Sequence, residues 1–360
     1  MSAEEPSSAP RPVPVTPLLV VFLCVVLLTA ATHPGSDEVP AEGGDDGMAV
    51  LRAAAAADDT VAYTGVRELR GPEELDGEAV RIRVVNQPGK GIALAAVDQD
   101  GAAEGSTFAV GDSSALVTLD ERLLGMLEDT YEVADAGPTD LDGRAARMVV
   151  ALRSDATVAG RFWVDEESGI LLGRTVYEDS GGAALRTRLS GIEFGEGHWP
   201  ADAVGGEPWG DALSGGEREE LRDRGWILPE HLTWDLRLVD ARSTEHGRQR
   251  VVHLVYSDGL SQVSVFAQRG KLGTEHPTSL HNGYVGTGEG GSGVTPRHDT
   301  IFGGEVGQYQ SMWQADGFVY TVLADAPAGL ASSAVSALPE PEGSGFWARV
   351  QRGLSRLGFA

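Results

Sequence analysis

Residues 158–194 constrain the fold of this chain more than any other part of the sequence. They read VAGRFWVDEESGILLGRTVYEDSGGAALRTRLSGIEF and contain three runs in which side chains alternate in polarity. Polar segments that end in glycine, 165–169 and 178–182, separate the runs, as is typical of hairpin loops. In the first run, Phe162 and Trp163 face opposite sides of the strand because successive side chains alternate. The pattern predicts an antiparallel meander with one more solvated face.

Three stretches resemble the MucB/RseB family of sigma-factor regulatory proteins. The first is GRFWVDEESGILLGRTVYE, the second is HLVYSDGLSQVSVFAQRG at 253–270, and the third is the QADG turn at 314–317 with ADAP after it. The resemblance extends in order over about residues 50–338. The family's first domain is similar to the lipoprotein carriers LolA and LppX. With 48 glycines and few lysines, the composition suggests a high-GC genome and a family member of the actinobacterial type.

The resemblance implies a fold and a function. The fold is α+β: a strongly curved antiparallel sheet with helices, a LolA-like half-barrel, followed by a smaller antiparallel α+β domain. The function is negative regulation of an extracytoplasmic-function, sigma-E-like sigma factor in an envelope stress response. The expected partner is a membrane-anchored anti-sigma factor, which binding shields from proteolysis, and a lipid or acyl chain is the expected sensed ligand. The alternative is an extracytoplasmic lipid or lipoprotein carrier of the LolA/LppX type.

The segment before the first domain indicates export. Residues 18–31, LLVVFLCVVLLTAA, carry no charge but are shorter than the roughly 20 apolar residues that span a bilayer. A cleaved signal peptide fits this length, and an uncleaved membrane anchor is the alternative. Cys24, the one cysteine of the chain, lies in this run, so the rest has no disulfide. We expect a periplasmic location or one on the outer face of the cytoplasmic membrane.

Changes in residue composition along the chain predict its domain organisation. Residues 1–32 are a signal peptide or anchor, and the acidic, Gly- and Pro-rich residues 33–46 are a disordered linker. A LolA-like domain is predicted over 47–197, and a Gly- and Pro-rich linker over 198–216. The second domain then covers 217–338, and a tail that turns from acidic to basic covers 339–360.

Apolar side chains of the first domain are candidates for a ligand cleft. Residues 120–131, DERLLGMLEDTY, repeat leucine at helical spacing behind Asp120, a good N-cap. A helix packed into the concave side of a curved sheet leaves an apolar cleft. Ordinary core packing requires the same residue types, so both interpretations stay open. The candidates are Leu123, Leu124, Leu127, Phe162 and Trp163.

The tail is the most basic segment of the chain. Its sequence FWARVQRGLSRLGFA places apolar and basic side chains on a short amphipathic helix. Such a helix binds a membrane surface or a partner, or docks on its own domain. The candidate contact residues are Phe346, Trp347, Arg349, Arg352, Leu354 and Arg356.

The sequence predicts no enzyme and no cofactor. Metalloprotease, nucleophile-elbow, P-loop and calcium-loop motifs are missing from the chain, and its eight histidines are scattered. Gly286, Gly288 and Gly291 match a dinucleotide-binding pattern, but their glycine-rich surroundings favour a surface loop over the helix that this motif requires. A net charge of -26 repels nucleic acid, so we expect a protein partner.

Overall fold

The structure, a computed structural model, describes residues 47–71, 79–97, 108–110, 119–201, 204–205, 210–246, 249–271, 279–282 and 309–340. The predicted leader, most of the glycine-rich loop and the basic tail lie outside these residues. Four helices are described: α1 (Gly47–Asp58), α2 (Glu121–Thr130), α3 (Gly215–Asp223) and α4 (Ala328–Ser336).

The first half of the chain forms an open, strongly curved sheet of ten described strands in the order β10-β4-β3-β2-β1-β9-β8-β7-β6-β5. All neighbouring strands are antiparallel except β10 and β4. The strands are β1 (Tyr63–Arg70), β2 (Val80–Gln87), β3 (Gly91–Val97), β4 (Phe108–Val110), β5 (Glu132–Leu141), β6 (Arg144–Leu152), β7 (Val158–Asp165), β8 (Leu171–Tyr177), β9 (Ala183–Phe194) and β10 (Val204–Gly205).

The predicted meander is confirmed as β7, β8 and β9. Gly169 has φ 77°, and the register shifts by a bulge at Trp163 and Val164, as the polar loop indicated. Asp165 is buried and accepts hydrogen bonds from Arg144 Nε at 3.0 Å and Ser168 Oγ at 2.6 Å. Burial alone would raise the pKa of Asp165, but these donors hold it below its usual range. The carboxylate thereby fixes the first hairpin of the meander.

The second half forms a smaller sheet of seven described strands in the order β11-β12-β13-β14-β17-β16-β15. One face packs against α4 and the segment after α3, in a core that includes Trp226, Tyr256 and Trp313. The strands are β11 (Asp211–Ala212), β12 (Arg237–His246), β13 (Gln249–Ser257), β14 (Gln262–Arg269), β15 (Ser279–Asn282), β16 (Tyr309–Ala315) and β17 (Phe318–Asp325).

Helix caps agree with the sequence. Asp120 caps α2, and its side chain accepts a hydrogen bond from Leu123 N at 2.8 Å. Ser214 caps α3 in a capping box with Glu217. The two sheets, antiparallel except for the pair β10 and β4, and the four described helices confirm the predicted α+β architecture.

Two local predictions were wrong. The sequence of residues 232–239 predicts a strand, but the strand in the structure begins at Arg237 and ends at His246, after a series of bends. The sequence Ser257-Asp258-Gly259 between two apolar runs predicts a type I′ turn, which requires positive φ at both central residues. Gly259 has φ 89°, but Asp258 is not among the positive-φ residues, and four residues separate the paired Ser257 and Gln262. Contacts with the first half of the chain determine the conformation of this turn.

Candidate functional site

The candidate site is the inner face of the first sheet, where α1 and α2 cover it. Helix α2 buries Leu123, Leu124 and Leu127, the three leucines that its spacing placed on one side. Leu124 and Leu127 share one buried apolar cluster with Phe162 of β7 and with Leu51 of α1. These side chains therefore form a buried apolar cluster between the helices and the sheet.

A turn from the second half of the chain is inserted into this cluster. Residues 257–261, called here the inserted turn, connect β13 and β14. Leu260 at its end is 1% exposed and belongs to the same cluster as Leu124, Leu127 and Phe162. The first sheet makes room for it at Gly160, where a Cβ would lie 2.5 Å from Leu260 Cδ1. Leu260 thus packs between Gly160 and the buried side chains of the first half of the chain.

The inserted turn also lies directly against the backbone of α2. A Cβ at Gly259 would fall 2.6 Å from the Leu123 carbonyl oxygen and closer still to the Leu127 nitrogen. Glycine is therefore required at position 259 for two reasons: its positive φ of 89° and this close approach to the helix. No other residue type could bring the turn this near to the helix without moving one of them.

The inserted turn also places the carboxylate of Asp258 in this buried region. It is 1% exposed, and Oδ1 accepts a hydrogen bond from Leu260 N at 2.8 Å. Oδ2 accepts one from the hydroxyl of Tyr131, just after α2, at 2.9 Å. Burial raises the pKa of Asp258, while its hydrogen bonds and the charge of Arg174 act in the opposite direction.

Two buried arginines lie on the inner face of the sheet. Arg174 of β8 pairs with Phe162 of β7 on one side and with Thr187 of β9 on the other. Arg67 of β1 pairs with Leu189, two residues along β9 from Thr187. Directly paired residues, and residues two apart on one strand, point to the same face. The sheet therefore turns both guanidinium groups towards the side that carries Phe162.

These arginines keep unused hydrogen-bond donors. Within the described part of the chain, Nε and Nη2 of Arg174, and Nε and Nη1 of Arg67, have no hydrogen-bond partner, and neither does Thr187 Oγ1. Arg174 is 4% exposed and Arg67 2%. Burial lowers the pKa of Arg174 to about 9, an effect that Asp258 opposes and Arg67 reinforces. Buried unpaired donors are costly, so these groups favour a partner that accepts hydrogen bonds.

Arg67 has its own electrostatic neighbours at the end of α1. The hydroxyl of Tyr63 donates a hydrogen bond to Asp58 Oδ1 at 3.2 Å, and Arg67 attracts both side chains. Burial raises the pKa of Asp58 to about 6, and Arg67 opposes that rise. The buried charged groups named so far are therefore Arg67 and Arg174, with the carboxylates of Asp58 in α1 and Asp258 in the inserted turn.

The predicted cleft residues are only partly brought together. Leu124, Leu127 and Phe162 share one cluster, whereas Leu123 and Trp163 belong to another, which also includes Val239 and Val255 of the second half. Trp163 alternates with Phe162 along β7 and pairs with Met148. Whether any of these side chains contacts a ligand stays a prediction. The tail candidates from Phe346 to Arg356 lie outside the described residues.

Sequence reasoning missed the polar half of this site. A single arginine inside the otherwise apolar run LLGRTVY was the available indication for Arg174, since its position alternates onto the same side as Leu172 and Val176. Nothing local indicated that Asp258 or Leu260 would enter the first half of the chain.

The described residues contain no group of three or more His, Cys, Asp or Glu side chains arranged to hold a metal ion. Among the helices described, none is both long and apolar enough to cross a membrane.

Two antiparallel sheets, the first open and curved around two helices, define a two-part protein of the MucB/RseB-like, LolA-type fold. The structure is similar to that of MucB, with a TM-score of 0.51 and 17% identity, over 83% of this chain and 99% of MucB. Two further solved structures are similar: the MucA/MucB complex of Pseudomonas aeruginosa (TM-score 0.47, 18% identity, 83% of this chain and 99% of that one) and LprF from Mycobacterium bovis (TM-score 0.28, 14% identity, 45% and 99%). No protein-family model and no curated protein matches the sequence.

Proposed function

We propose that this protein is an exported negative regulator of an extracytoplasmic-function, sigma-E-like sigma factor. It binds a membrane-anchored anti-sigma factor outside the cytoplasm and shields it from proteolysis. The observation that carries the proposal is the fold of MucB, shared over 83% of this chain and 99% of MucB, so that both halves are included. MucB has been solved in complex with MucA, which supports a protein partner of the same kind here.

The second half of the chain offers a surface for that partner. Trp234, in the bends before β12, is 96% exposed, and Ile227 nearby in sequence is 41% exposed. An almost fully exposed tryptophan is unusual in a folded protein, and tryptophan is enriched among the residues that dominate the binding energy of interfaces. The family resemblance also assigns much of the partner contact to this domain. We therefore include Trp234 in the contact surface, together with the basic tail.

A pull-down from native membranes tests the proposal. The tagged full-length chain should capture a single-pass anti-sigma factor, and capture should fall at least about tenfold for Trp234→Ala, as for an interface hot spot. Deletion of residues 346–360 should also weaken capture or membrane association. Phe194→Ala is the matched control, because Phe194 is exposed (46%) but belongs to the first sheet.

The carrier function is the second candidate. The apolar cluster of Leu124, Leu127 and Phe162 between helices and sheet favours it, because an acyl chain is bound by such a surface. Native mass spectrometry distinguishes the two. Copurified lipid at near one-to-one, together with recovery of lipoproteins alone in the pull-down, would favour the carrier and contradict the regulator.

A further inference from the structure

We propose that Trp234 is the centre of a docking site for a cationic side chain, arginine or lysine, presented by the protein partner. The carboxylates of Glu132 and Asp235 complete the site, one from each half of the chain. This inference rests on the proposed function and adds the chemistry of the partner's contacting segment, which is basic.

The loop that carries Trp234 is closed and anchored, although the tryptophan itself is almost fully exposed. His231 and Arg237 form a β-bridge at the base of the loop, and Leu232 N donates a hydrogen bond to the Leu236 carbonyl oxygen at 3.0 Å. Leu232 and Leu236 are both buried in the core of the second half. An ordered loop thus holds the tryptophan away from its own core and leaves the ring available to a partner.

This loop meets the C-terminal end of α2, so the site includes both halves of the chain. Arg237, at the base of the loop, forms an ion pair with Asp129 in the last turn of the helix, with Nη1 and Oδ2 2.9 Å apart. Asp235, the next residue after the tryptophan, acts electrostatically on Tyr131, which follows α2. Burial and Asp258 raise the pKa of Tyr131 most, and the charge of Asp235 adds to that rise. The loop therefore lies against the end of α2.

Two carboxylates of this region have no counter-charge of their own. In the last turn of α2, Arg52 pairs with Glu128 at 2.6 Å. By contrast, Glu132 and Asp235 are exposed and form no ion pair within the described part of the chain. Glu132 also follows the negative end of the dipole of α2, whose last turn contains no basic residue. The surface beside Trp234 therefore has a negative potential that favours a cation.

A cationic side chain fits this combination better than an apolar one. The face of tryptophan attracts arginine and lysine more strongly than the other aromatic rings do. An apolar partner would remove water from the carboxylates of Glu132 and Asp235 without pairing them, which is costly. The net charge of -26 also attracts a basic partner at long range. The exposed ring and the acidic surroundings therefore indicate the same kind of partner segment.

Magnetic resonance of the indole groups tests the proposal in the full-length chain, with hexa-arginine amide as the probe. Tryptophan is isotope-labelled, and Trp234→Phe identifies the resonance of Trp234 among the seven tryptophans. This resonance should shift when hexa-arginine is added and should not shift with hexaglutamate. The affinity for hexa-arginine should fall about fivefold between about 50 mM and about 500 mM sodium chloride, because salt screens exposed charges.

Variants then assign the contributions, with affinity measured by the fluorescence anisotropy of labelled hexa-arginine. Trp234→Leu keeps an apolar side chain but loses the aromatic face, so its affinity should fall about threefold. Trp234→Phe should retain more affinity than Trp234→Leu. Glu132→Gln and Asp235→Asn should each weaken binding about twofold, as for exposed ion pairs. Glu166→Gln, at an exposed position of the meander, should match the wild type.

The proposal is overturned if the resonance of Trp234 does not move at saturating hexa-arginine, or if Trp234→Leu binds the probe as tightly as the wild type. An equal shift with hexaglutamate also overturns it. If deletion of residues 346–360 moves this resonance before any probe is added, the basic tail of the chain itself covers the ring, and docking of a partner there is overturned. Because no protein partner is present, these results are independent of the pull-down. Capture of an anti-sigma factor without a preference of Trp234 for hexa-arginine would contradict this inference alone.

Discussion

His253 of β13 shows how burial sets the chemistry of a single residue. Its ring is stacked on Phe266 of β14, with centroids 4.2 Å apart and 4° between the planes. It is 2% exposed and pairs across the sheet with Arg242 of β12. Burial lowers the pKa of His253 to about 3, and the charge of Arg242 acts in the same direction. The folded protein therefore holds a neutral imidazole at neutral pH.

This shift predicts a pH dependence of stability. Unfolded histidine has a pKa of about 6.5, so between pH 6.5 and 3 the unfolded state binds the extra proton. The stability that neutral His253 supplies is fully present above about 6.5 and is lost as the pH falls towards the folded value. Since one pKa unit corresponds to about 1.4 kcal/mol, the loss between pH 7 and pH 5 should be about 2 kcal/mol.

The measurement compares the unfolding free energies of the wild type and a His253 variant, because buried carboxyl groups change stability with pH in the opposite direction. Asp58, Asp258 and Asp325 have raised pKa values in the folded protein, so they increase its free energy of unfolding as the pH falls. Subtracting His253→Gln from the wild type in urea titrations at pH 7 and pH 5 cancels their shared contribution. His231→Gln, at an exposed position, controls for loss of a histidine. A free-energy gap between wild type and His253→Gln that stays constant from pH 7 to pH 5 would contradict the prediction.

At the scale of elements, two hairpin turns with similar sequences are held by different forces. Asp316 and Gly317, between β16 and β17, have φ of 51° and 78°, and nothing lies within 4 Å of a Cβ at Gly317. Positive φ at both positions identifies a type I′ turn, which the sequence QADG predicts by itself. The inserted turn SDGL differs because Asp258 caps its own backbone and Gly259 lies on α2.

Substitution of the two glycines should separate these forces. Gly317→Ala imposes only the strain of positive φ, about 1–2 kcal/mol. Gly259→Ala imposes a similar strain and also forces a methyl group into the backbone of α2. It should therefore destabilise by at least about 3 kcal/mol, as overpacking adds to strain, or release the inserted turn from the helix. Denaturant unfolding measures the first outcome, and amide exchange of α2 and of the turn measures the second. Equal effects of the two substitutions on both measurements would show that the close contact is absent.

Local pattern predicted the elements whose own residues determine them. The meander and α2 followed from alternation, leucine spacing and the cap at Asp120. Strand β5 was missed because EVADAGPTDL lacks alternation and contains Gly137 and Pro138, and its pairing with β6 defines it instead. The site residues Asp258 and Leu260 could not be predicted, since their role depends on α2 and Gly160, more than 90 residues earlier in the chain.

At the scale of the whole molecule, contacts of long sequence separation join the two halves. Arg237 and Asp129 form an exposed ion pair at 2.9 Å, and Arg122 donates a hydrogen bond to the Val239 carbonyl oxygen. An exposed pair contributes little, typically below about 1 kcal/mol. The buried contacts of the inserted turn therefore contribute more to the association of the halves than these surface interactions.

A second contact between the halves is a helix cap supplied from a distance. Helix α4 begins after Pro327, whose side chain offers no acceptor to the helix. Glu178, in the loop between β8 and β9, accepts the hydrogen bond of Ala328 N instead, at 3.0 Å for Oε1 and 3.1 Å for Oε2. A carboxylate at this position also interacts favourably with the helix dipole. The first half of the chain thereby completes a helix of the second.

Removing this cap should affect both stability and the local opening of α4. Glu178→Ala should lower the free energy of unfolding by about 1 kcal/mol and speed amide exchange of Ala328, because that amide loses its acceptor. Glu178→Gln should have a smaller effect, since it keeps the acceptor and loses the charge. Glu167→Ala, at an exposed position of the other hairpin of the same meander, should change stability by less than about 0.5 kcal/mol and leave exchange at Ala328 unaltered. Exchange at Ala328 that is equally slow in Glu178→Ala and in the wild type would show that the cap does not join the two halves in solution.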